Sequence, residues 1–262
     1  MVEIGITGAA GRMGGRLAVL ACADENLRLV CAIERAGHES IGRDVGEVAG
    51  IGAIGVPIAA EPKAMPAVLI DFSTPAATRV WLEKCAQAGT RMVVGTTGLS
   101  AEDHALIDVA ARRVAVLQAP NMSLGVNLLF TIAAQVARRL GDDYDIEIVE
   151  AHHRFKKDAP SGTAWGLVDA ILAARGIGRE AVAIDRQGED CVRRRGQVGV
   201  HALRMGDEVG RHTAYFAALG ERLELTHTAT SRDTFASGAL RAAAWLSHKP
   251  PGRYSMADVL GL

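Results

Sequence analysis

From Val2 to Leu140, short apolar runs alternate with helix-length segments. Val2 to Thr7 is one such run; it ends at Gly8, and Gly8-Ala9-Ala10-Gly11-Arg12-Met13-Gly14 leads into a helical pattern reaching Ala23. Leu27 to Ile33 and Ala67 to Phe72 are further runs, the latter followed by Pro75, a residue suited to the first turn of the helix expected up to Ala88. Arg91 to Val94 precedes a helix over Ala101 to Arg113, and Val114 to Gln118 precedes a long apolar helix over Gly125 to Leu140. Buried strands alternating with helices build a doubly wound parallel sheet whose ligand lies at the carboxyl ends of the strands. The first part of the chain is therefore expected to be an α/β, Rossmann-like nucleotide-binding domain.

The first turn has the context a dinucleotide fingerprint needs: strand, glycine turn, helix. Gly8, Gly11 and Gly14 permit a tight turn and close approach of backbone to a pyrophosphate, and a helix N-terminus supplies N–H groups and a positive dipole end. The spacing is Gly-x-x-Gly-x-x-Gly, not the more familiar Gly-x-Gly-x-x-Gly, so a plain strand-to-helix turn stays open as the other reading. Glu34 ends the second strand about 20 residues beyond Gly14, where an acidic side chain bonds the ribose hydroxyls of an adenosine. That favours NADH, whereas Arg35 suits a 2′-phosphate and admits NADPH. Gly37 to Gly55 reads as an irregular, mobile surface loop.

After Leu140 the pattern changes. Asp145 to His152, Val198 to Arg204, His212 to Leu219 and Arg222 to Thr230 read as strands, with one clear helix, Thr163 to Ala174, among them. This is α+β composition, placed in a second domain over 122–232 that has a mixed sheet. A further helix, Asp233 to Ser247, and a short end segment, Ala257 to Leu260, follow.

The chemistry is concentrated in Glu150 to Thr163, which reads Glu-Ala-His-His-Arg-Phe-Lys-Lys-Asp-Ala-Pro-Ser-Gly-Thr. A polar loop between a strand and a helix is where a rigid scaffold presents chemistry. Histidine titrates nearest neutrality and gives a proton at physiological pH. Adjacent strand residues point to opposite faces, so His152 and His153 are expected to do different jobs. Lys156 suits a carboxylate or a developing negative charge. Ser161, Gly162 and Thr163 sit where a helix begins, and free N–H groups with two hydroxyls there suit a carboxylate. The plainer alternative is that Ser161 or Thr163 only caps its helix and the lysines are solvated.

This stretch closely resembles the signature of the 4-hydroxy-tetrahydrodipicolinate reductase (dihydrodipicolinate reductase) family, which belongs to the diaminopimelate route to lysine. The resemblance runs end to end and includes the first turn, since the family reads like Gly-Arg-Met-Gly there. It implies an NAD(P)H-dependent oxidoreductase acting on a small cyclic dicarboxylate imine. His152 would be the proton donor, assisted by Lys156, while His153, Ser161, Gly162 and Thr163 would hold substrate. Gly8 to Met13 would take the pyrophosphate, with Glu34 and Arg35 at the adenosine ribose. Gly95-Thr96-Thr97 and Ala119-Pro120-Asn121-Met122 would line the nicotinamide. The resemblance also implies that 233–262 completes the nucleotide domain begun by 1–121, that hinges lie at Asn121-Met122-Ser123 and Ser231-Arg232, and that the protein is a homotetramer.

A net charge of −1 argues against nucleic acid as the main partner. Arg193-Arg194-Arg195, the one compact basic run, reads as a solvated loop. Cys22, Cys31, Cys85 and Cys191 show neither a CxxC pair nor zinc-like spacing; the first three sit in apolar segments and read as buried thiols in a reducing, cytoplasmic setting. Met1 passes directly into a strand, so neither a signal peptide nor a membrane span is expected. No metal is expected, because His152 and His153 lack ligand spacing. His201, His212 and His227 read as packing or surface residues. Two rival functions are a reductase of another small dicarboxylate and a non-catalytic nucleotide-sensing protein.

Overall fold

A computed structural model of the chain describes residues 1–184, 186 and 188–262. In chain order the elements begin with β1 (Val2–Thr7), α1 (Arg12–Cys22), β2 (Leu27–Ile33), α2 (Val45–Ala49), β3 (Ile58–Ala59), β4 (Val68–Asp71), α3 (Pro75–Ala88), β5 (Arg91–Val94), α4 (Ala101–Ala111), β6 (Ala115–Gln118) and α5 (Leu124–Leu140). They continue with β7 (Asp145–His152), α6 (Gly162–Arg175), β8 (Val182–Ile184), β9 (Val198–Arg204), β10 (Gly210–Ala218), β11 (Glu221–Ala229), α7 (Asp233–Leu246), β12 (Gly252–Tyr254) and α8 (Met256–Leu260). The chain divides into two compact units, Met1–Leu124 with Arg232–Leu262, and Gly125–Ser231.

The first unit is built on a seven-stranded sheet in the order β12-β6-β5-β4-β1-β2-β3, with every strand pair parallel. Its strands are apolar on both faces, as a sheet covered on both sides requires. Along β4, Val68 and Ile70 join one core with Leu17, Ala18, Leu240 and Ala243 of α1 and α7. Leu69, between them, joins the other core with Trp81, Leu82 and Ile107 of α3 and α4. The helices stop and start on local signals. Thr74 caps α3 by accepting the Ala77 N–H, Pro75 occupies its first turn, and Gly89 ends it at φ +73°. Ser100 and Asp103 form a reciprocal cap on α4.

Small residues let backbone meet backbone. A Cβ on Gly14 would lie 2.2 Å from the Gly8 carbonyl oxygen and 2.6 Å from Ala9 Cα. A Cβ on Gly238 of α7 would lie 1.8 Å from the Met122 carbonyl oxygen. With aromatic residues at only 4% of the chain, close helix approach of this kind takes over part of the packing that larger side chains would do.

The second unit carries a five-stranded mixed sheet in the order β11-β10-β7-β9-β8. β10 pairs antiparallel with β11 and β7, while β9 pairs parallel with β7 and β8. One face buries Ile146, Ile148, Val198, Val200, Ala214 and Phe216 against Leu129 and Ala133 of α5 and Leu167, Val168 and Ile171 of α6.

Three expectations from sequence need correction, and one strand was not anticipated. The stretch expected as an irregular loop contains α2, and Asp44 organises it by accepting the N–H groups of Gly46, Ile54, Gly55 and Val56 at 2.8–3.0 Å. Cys22 is exposed, because at the end of α1 the buried phase falls on Leu17, Ala18 and Ala21; Cys31 and Cys85 are buried. Arg193 is not solvated: its guanidinium pairs with Asp145 and Glu147 at 2.8 and 2.7 Å. The segment after α7 adds β12 to the sheet edge beside β6, ahead of the short helix α8.

The Gly14 contacts generate a test. Gly14→Ala is expected to destabilise the protein by about 1–3 kcal/mol, because both atoms in the way are backbone. Gly15→Ala, with nothing within 4 Å of its Cβ, is expected to be neutral or slightly stabilising. Thermal unfolding of the pair decides it, and equal melting temperatures would remove the close approach as a constraint.

Candidate active site

At the carboxyl ends of β1, β2 and β4 the first unit opens a cleft of about 580 Å³, whose lining includes Gly8, Ala10, Gly11, Glu34 and Arg35. Gly8 takes φ +69°, and a Cβ there would lie 2.5 Å from the Phe72 carbonyl oxygen, so the turn needs glycine. Gly11 begins α1 without a side-chain cap, and no acidic residue stands in the first turn. The helix therefore keeps an electropositive start, at Arg12 and Met13, for an anion. Ala9 is buried, with its N–H bonded to the Ile33 carbonyl at 3.1 Å. Glu34 accepts from the backbone N–H of Ala10 at 3.3 Å and of Arg35 at 3.0 Å, which holds its carboxylate against the glycine turn. Arg35 is exposed on the cleft.

The end of β4 organises the neighbouring turns. Asp71 is fully buried and takes hydroxyl donors from Thr7, Ser73 (2.5 Å), Thr78 (2.5 Å) and Thr96 (3.0 Å). Thr96 also accepts the Ser73 N–H at 3.1 Å, so the Gly95-Thr96-Thr97 turn is tied to the cleft wall through Asp71. Gly95 lies under the Phe72 ring, which leaves no room for a Cβ. Thr97 is exposed. After β6, Ala119 and Met122 are buried, Pro120 is exposed, and the Asn121 side chain accepts the Ser123 N–H at 2.9 Å.

In the second unit, β7 turns from core to chemistry along one face. Ile146 and Ile148 are in the core, and Glu150 and His152 continue their alternation. Pairing places His212 of β10 opposite Glu150, and Arg204 of β9 opposite His152. Glu150 is fully buried with four hydrogen bonds to three partners. Its Oε2 meets His152 Nδ1 at 2.5 Å and Arg204 Nη1 at 2.9 Å; its Oε1 accepts from Arg204 Nη2 at 2.8 Å and the Ser161 N–H at 3.0 Å. Burial would push this carboxyl up, but the His152 and Arg204 hydrogen bonds and charges win and hold it at about 2.

His212 stands edge-on to His152, with ring centres 5.1 Å apart. Its Nε2 is 3.0 Å from Ser161 Oγ, which also accepts the Ala164 N–H at 3.1 Å as the cap of α6. Burial and the neighbouring His152 push His212 down to about 3, so it stays neutral near neutrality. Lys156 Nζ pairs with Asp158 at 2.9 Å, and its backbone N–H bonds the His153 carbonyl at 3.0 Å. The His153 Nδ1 is buried without a hydrogen bond, and its ring lies 6.3 Å from that of exposed Phe155. Gly162 and Thr163 begin α6, Gly162 exposed and Thr163 half-buried.

The structure thus brings His152, Ser161 and the start of α6 into one cluster, with Lys156 and His153 in the adjoining loop. Sequence reading missed Arg204 and His212. Both arrive by strand pairing across tens of residues, and His212 in particular read as packing. Glu150 opened the quoted signature without a role; its i, i+2 relation to His152 was the available signal. Among the described residues, no cluster of three or more His, Cys, Asp or Glu is arranged to hold a metal ion. No described helix is long and apolar enough to cross a membrane.

Comparison with known proteins bears on the whole chain. Residues 2–122 match the family model described as dihydrodipicolinate reductase, N-terminus, and residues 125–260 the model described as dihydrodipicolinate reductase, C-terminus. The 4-hydroxy-tetrahydrodipicolinate reductase of Citrifermentans bemidjiense is 46% identical over 266 residues, covering 100% of each chain. That of Ruegeria pomeroyi is 49% identical over 261 residues, covering 98% of this chain and 97% of its own. The solved dipicolinate-bound dihydrodipicolinate reductase from Paenisporosarcina sp. TG-14 shares the fold, with a TM-score of 0.77 at 23% identity over 98% of both chains. With both halves matched and relatives near half-identical over their full length, the chain belongs to the dihydrodipicolinate reductase family.

Proposed function

We propose that this protein reduces 4-hydroxy-tetrahydrodipicolinate, by way of dihydrodipicolinate, to tetrahydrodipicolinate with NADH or NADPH, in the diaminopimelate route to lysine. The observation that carries the reading at the level of the site is the cluster at the end of β7: a histidine on a buried carboxylate, a lysine in the following loop and a helix N-terminus. Such a group suits a dicarboxylate that must receive a proton.

The first unit fits the coenzyme. The uncapped start of α1, the absence of acid in its first turn and the Cβ-free approach at Gly8 and Gly14 suit a pyrophosphate. Glu34 is placed for ribose hydroxyls and Arg35 for a 2′-phosphate, so both coenzymes are accepted. Gly95, Thr96 and Thr97, together with Ala119 to Met122, shape the nicotinamide end. The bound coenzyme supplies a hydride, which ends on ring C4 of the substrate. His152 then gives a proton to the adjacent carbon, and Lys156 assists this protonation and holds negative charge nearby. His153, Gly162 and Thr163 bind the substrate carboxylates, and Ser161 fixes the helix start that presents them. No metal takes part in these steps. The protein works in the cytoplasm as a homotetramer, and the exposed first half of edge strand β11 is a surface that pairing between copies would cover.

The first experiment is loss of NADH absorbance by the purified protein, with substrate freshly made by the preceding aldolase from pyruvate and aspartate semialdehyde, and with NADPH in parallel. Oxidation that needs every component is the expected result. Coenzyme binding without oxidation would move the reading to another dicarboxylate or to a sensing role. His152→Ala is expected to lower kcat by about 10²–10⁴ with coenzyme affinity nearly unchanged, the range a lost general acid costs. Normal turnover would end its role as donor. Lys156→Ala is expected to lose turnover as well, and unchanged kinetics would take it out of the site. Glu34→Ala is expected to weaken NADH more than NADPH; equal losses would mean that Glu34 does not discriminate.

A further inference from the structure

Glu150 stands one step back from the loop that presents the proton donor. It does not reach open solvent, yet every one of its bonds goes to something that shapes that loop: the donor ring, the start of α6, and a guanidinium that also bonds the Asp158 carbonyl at 2.6 Å. We infer that Glu150 is the positioning residue of His152, fixing which ring nitrogen carries the exchangeable proton, with Arg204 as its counter-ion. This rests on His152 being the donor.

The argument begins with the acceptor. A carboxylate has lone pairs and no proton to give, so the 2.5 Å contact requires a hydrogen on His152 Nδ1. That hydrogen stays in place whether the ring is charged or neutral. The proton that leaves must then come from Nε2, which has no hydrogen bond among the described residues. Histidines that act at one nitrogen are commonly oriented by the bond the other makes. The charged or titratable groups around His152 are Glu150 on its own strand, Arg204 on β9, His212 on β10 with its cross-strand partner His227 on β11, and Lys156 and Asp158 in the loop. Buried Glu150 is the carboxylate bonded to the ring, and Arg204 satisfies both of its oxygens. His212 is held neutral by burial, so it does not titrate in the working range.

A merely structural Glu150 would tie β7 to β9 and the loop, and its loss would lower stability without a selective loss of kcat. The test therefore reads both. In Glu150→Gln, checked for folding by unchanged NADH affinity, kcat is expected to fall about tenfold or more, within the range general-acid catalysis supplies. The loss is expected in kcat with KM nearly unchanged, because the donor ring is disturbed and the groups that hold substrate are not. An unchanged kcat, or a loss confined to KM, overturns the inference. A second measurement needs no variant at position 150. The ¹⁵N imidazole resonances of the wild-type enzyme, with those of His152 identified by their loss in His152→Asn, are expected to show a neutral ring protonated at Nδ1. Protonation at Nε2 overturns the inference even if Glu150→Gln cannot be purified. Normal turnover in His152→Ala would instead remove the donor itself, a failure distinct from an unchanged kcat in Glu150→Gln.

Discussion

Each sheet in this protein ends on a carboxylate that is fully out of water, Asp71 at the end of β4 and Glu150 near the end of β7. A buried carboxylate is tolerated only when its oxygens are satisfied by donors or opposite charge, since the alternative costs several kcal/mol. That requirement reaches outward: it dictates what may stand on the neighbouring strand, at the start of the next helix and in the adjacent turn. In each unit the neighbouring turns and loops hang from such a point.

The two carboxylates are satisfied differently, and the difference matches what lies around them. Asp71 is met by four hydroxyls, from Thr7, Ser73, Thr78 and Thr96. Neutral donors fix geometry without placing a positive charge beside the cleft, and here they lock the turn at Thr96 to the ends of two central strands. Glu150 is met by a guanidinium, an imidazole and a backbone N–H. Charged donors make stronger bonds and also couple the carboxylate to a group that titrates. Position is all that the first arrangement supplies. Position and charge together are supplied by the second, and it is the second that holds the His152 ring.

Much of this was legible in the chain. The strand-helix alternation, the glycine turn and Glu34 are local patterns, and local patterns survive reading without coordinates. The same holds for the signature from Glu150 to Thr163, since its chemistry lies within one loop. Arg204 and His212 were not legible, because a strand residue enters a site through the register of pairing, which sequence does not display. Asp44 was hidden for a related reason. Its four backbone partners lie 2 to 12 residues ahead, so a glycine-rich stretch that looked unstructured is held by one side chain. Cys22 shows the limit of reading burial from apolar surroundings: one step in helical phase separates it from buried Ala21.

β7 shows how little sequence is needed to convert a core into a site. Ile146, Ile148, Glu150 and His152 occupy one face in succession, so the strand passes from aliphatic packing to a buried carboxylate and its imidazole partner within two residues. The apolar end anchors the strand against α5 and α6, while the polar end fixes only the start of α6, through the bond from the Ser161 N–H to Glu150. Glu150 and His152 are then set by a rigid strand whose neighbours on both sides are already in register. A catalytic ring carried wholly on a loop would lose orientation with each fluctuation of that loop. Here the ring sits on the last residue of the strand, whereas Lys156, Gly162 and Thr163 stand on the loop and the helix start beyond it. On the proposed reading the proton donor is placed by the strand, and the groups that would meet the substrate stand on the segments that follow it.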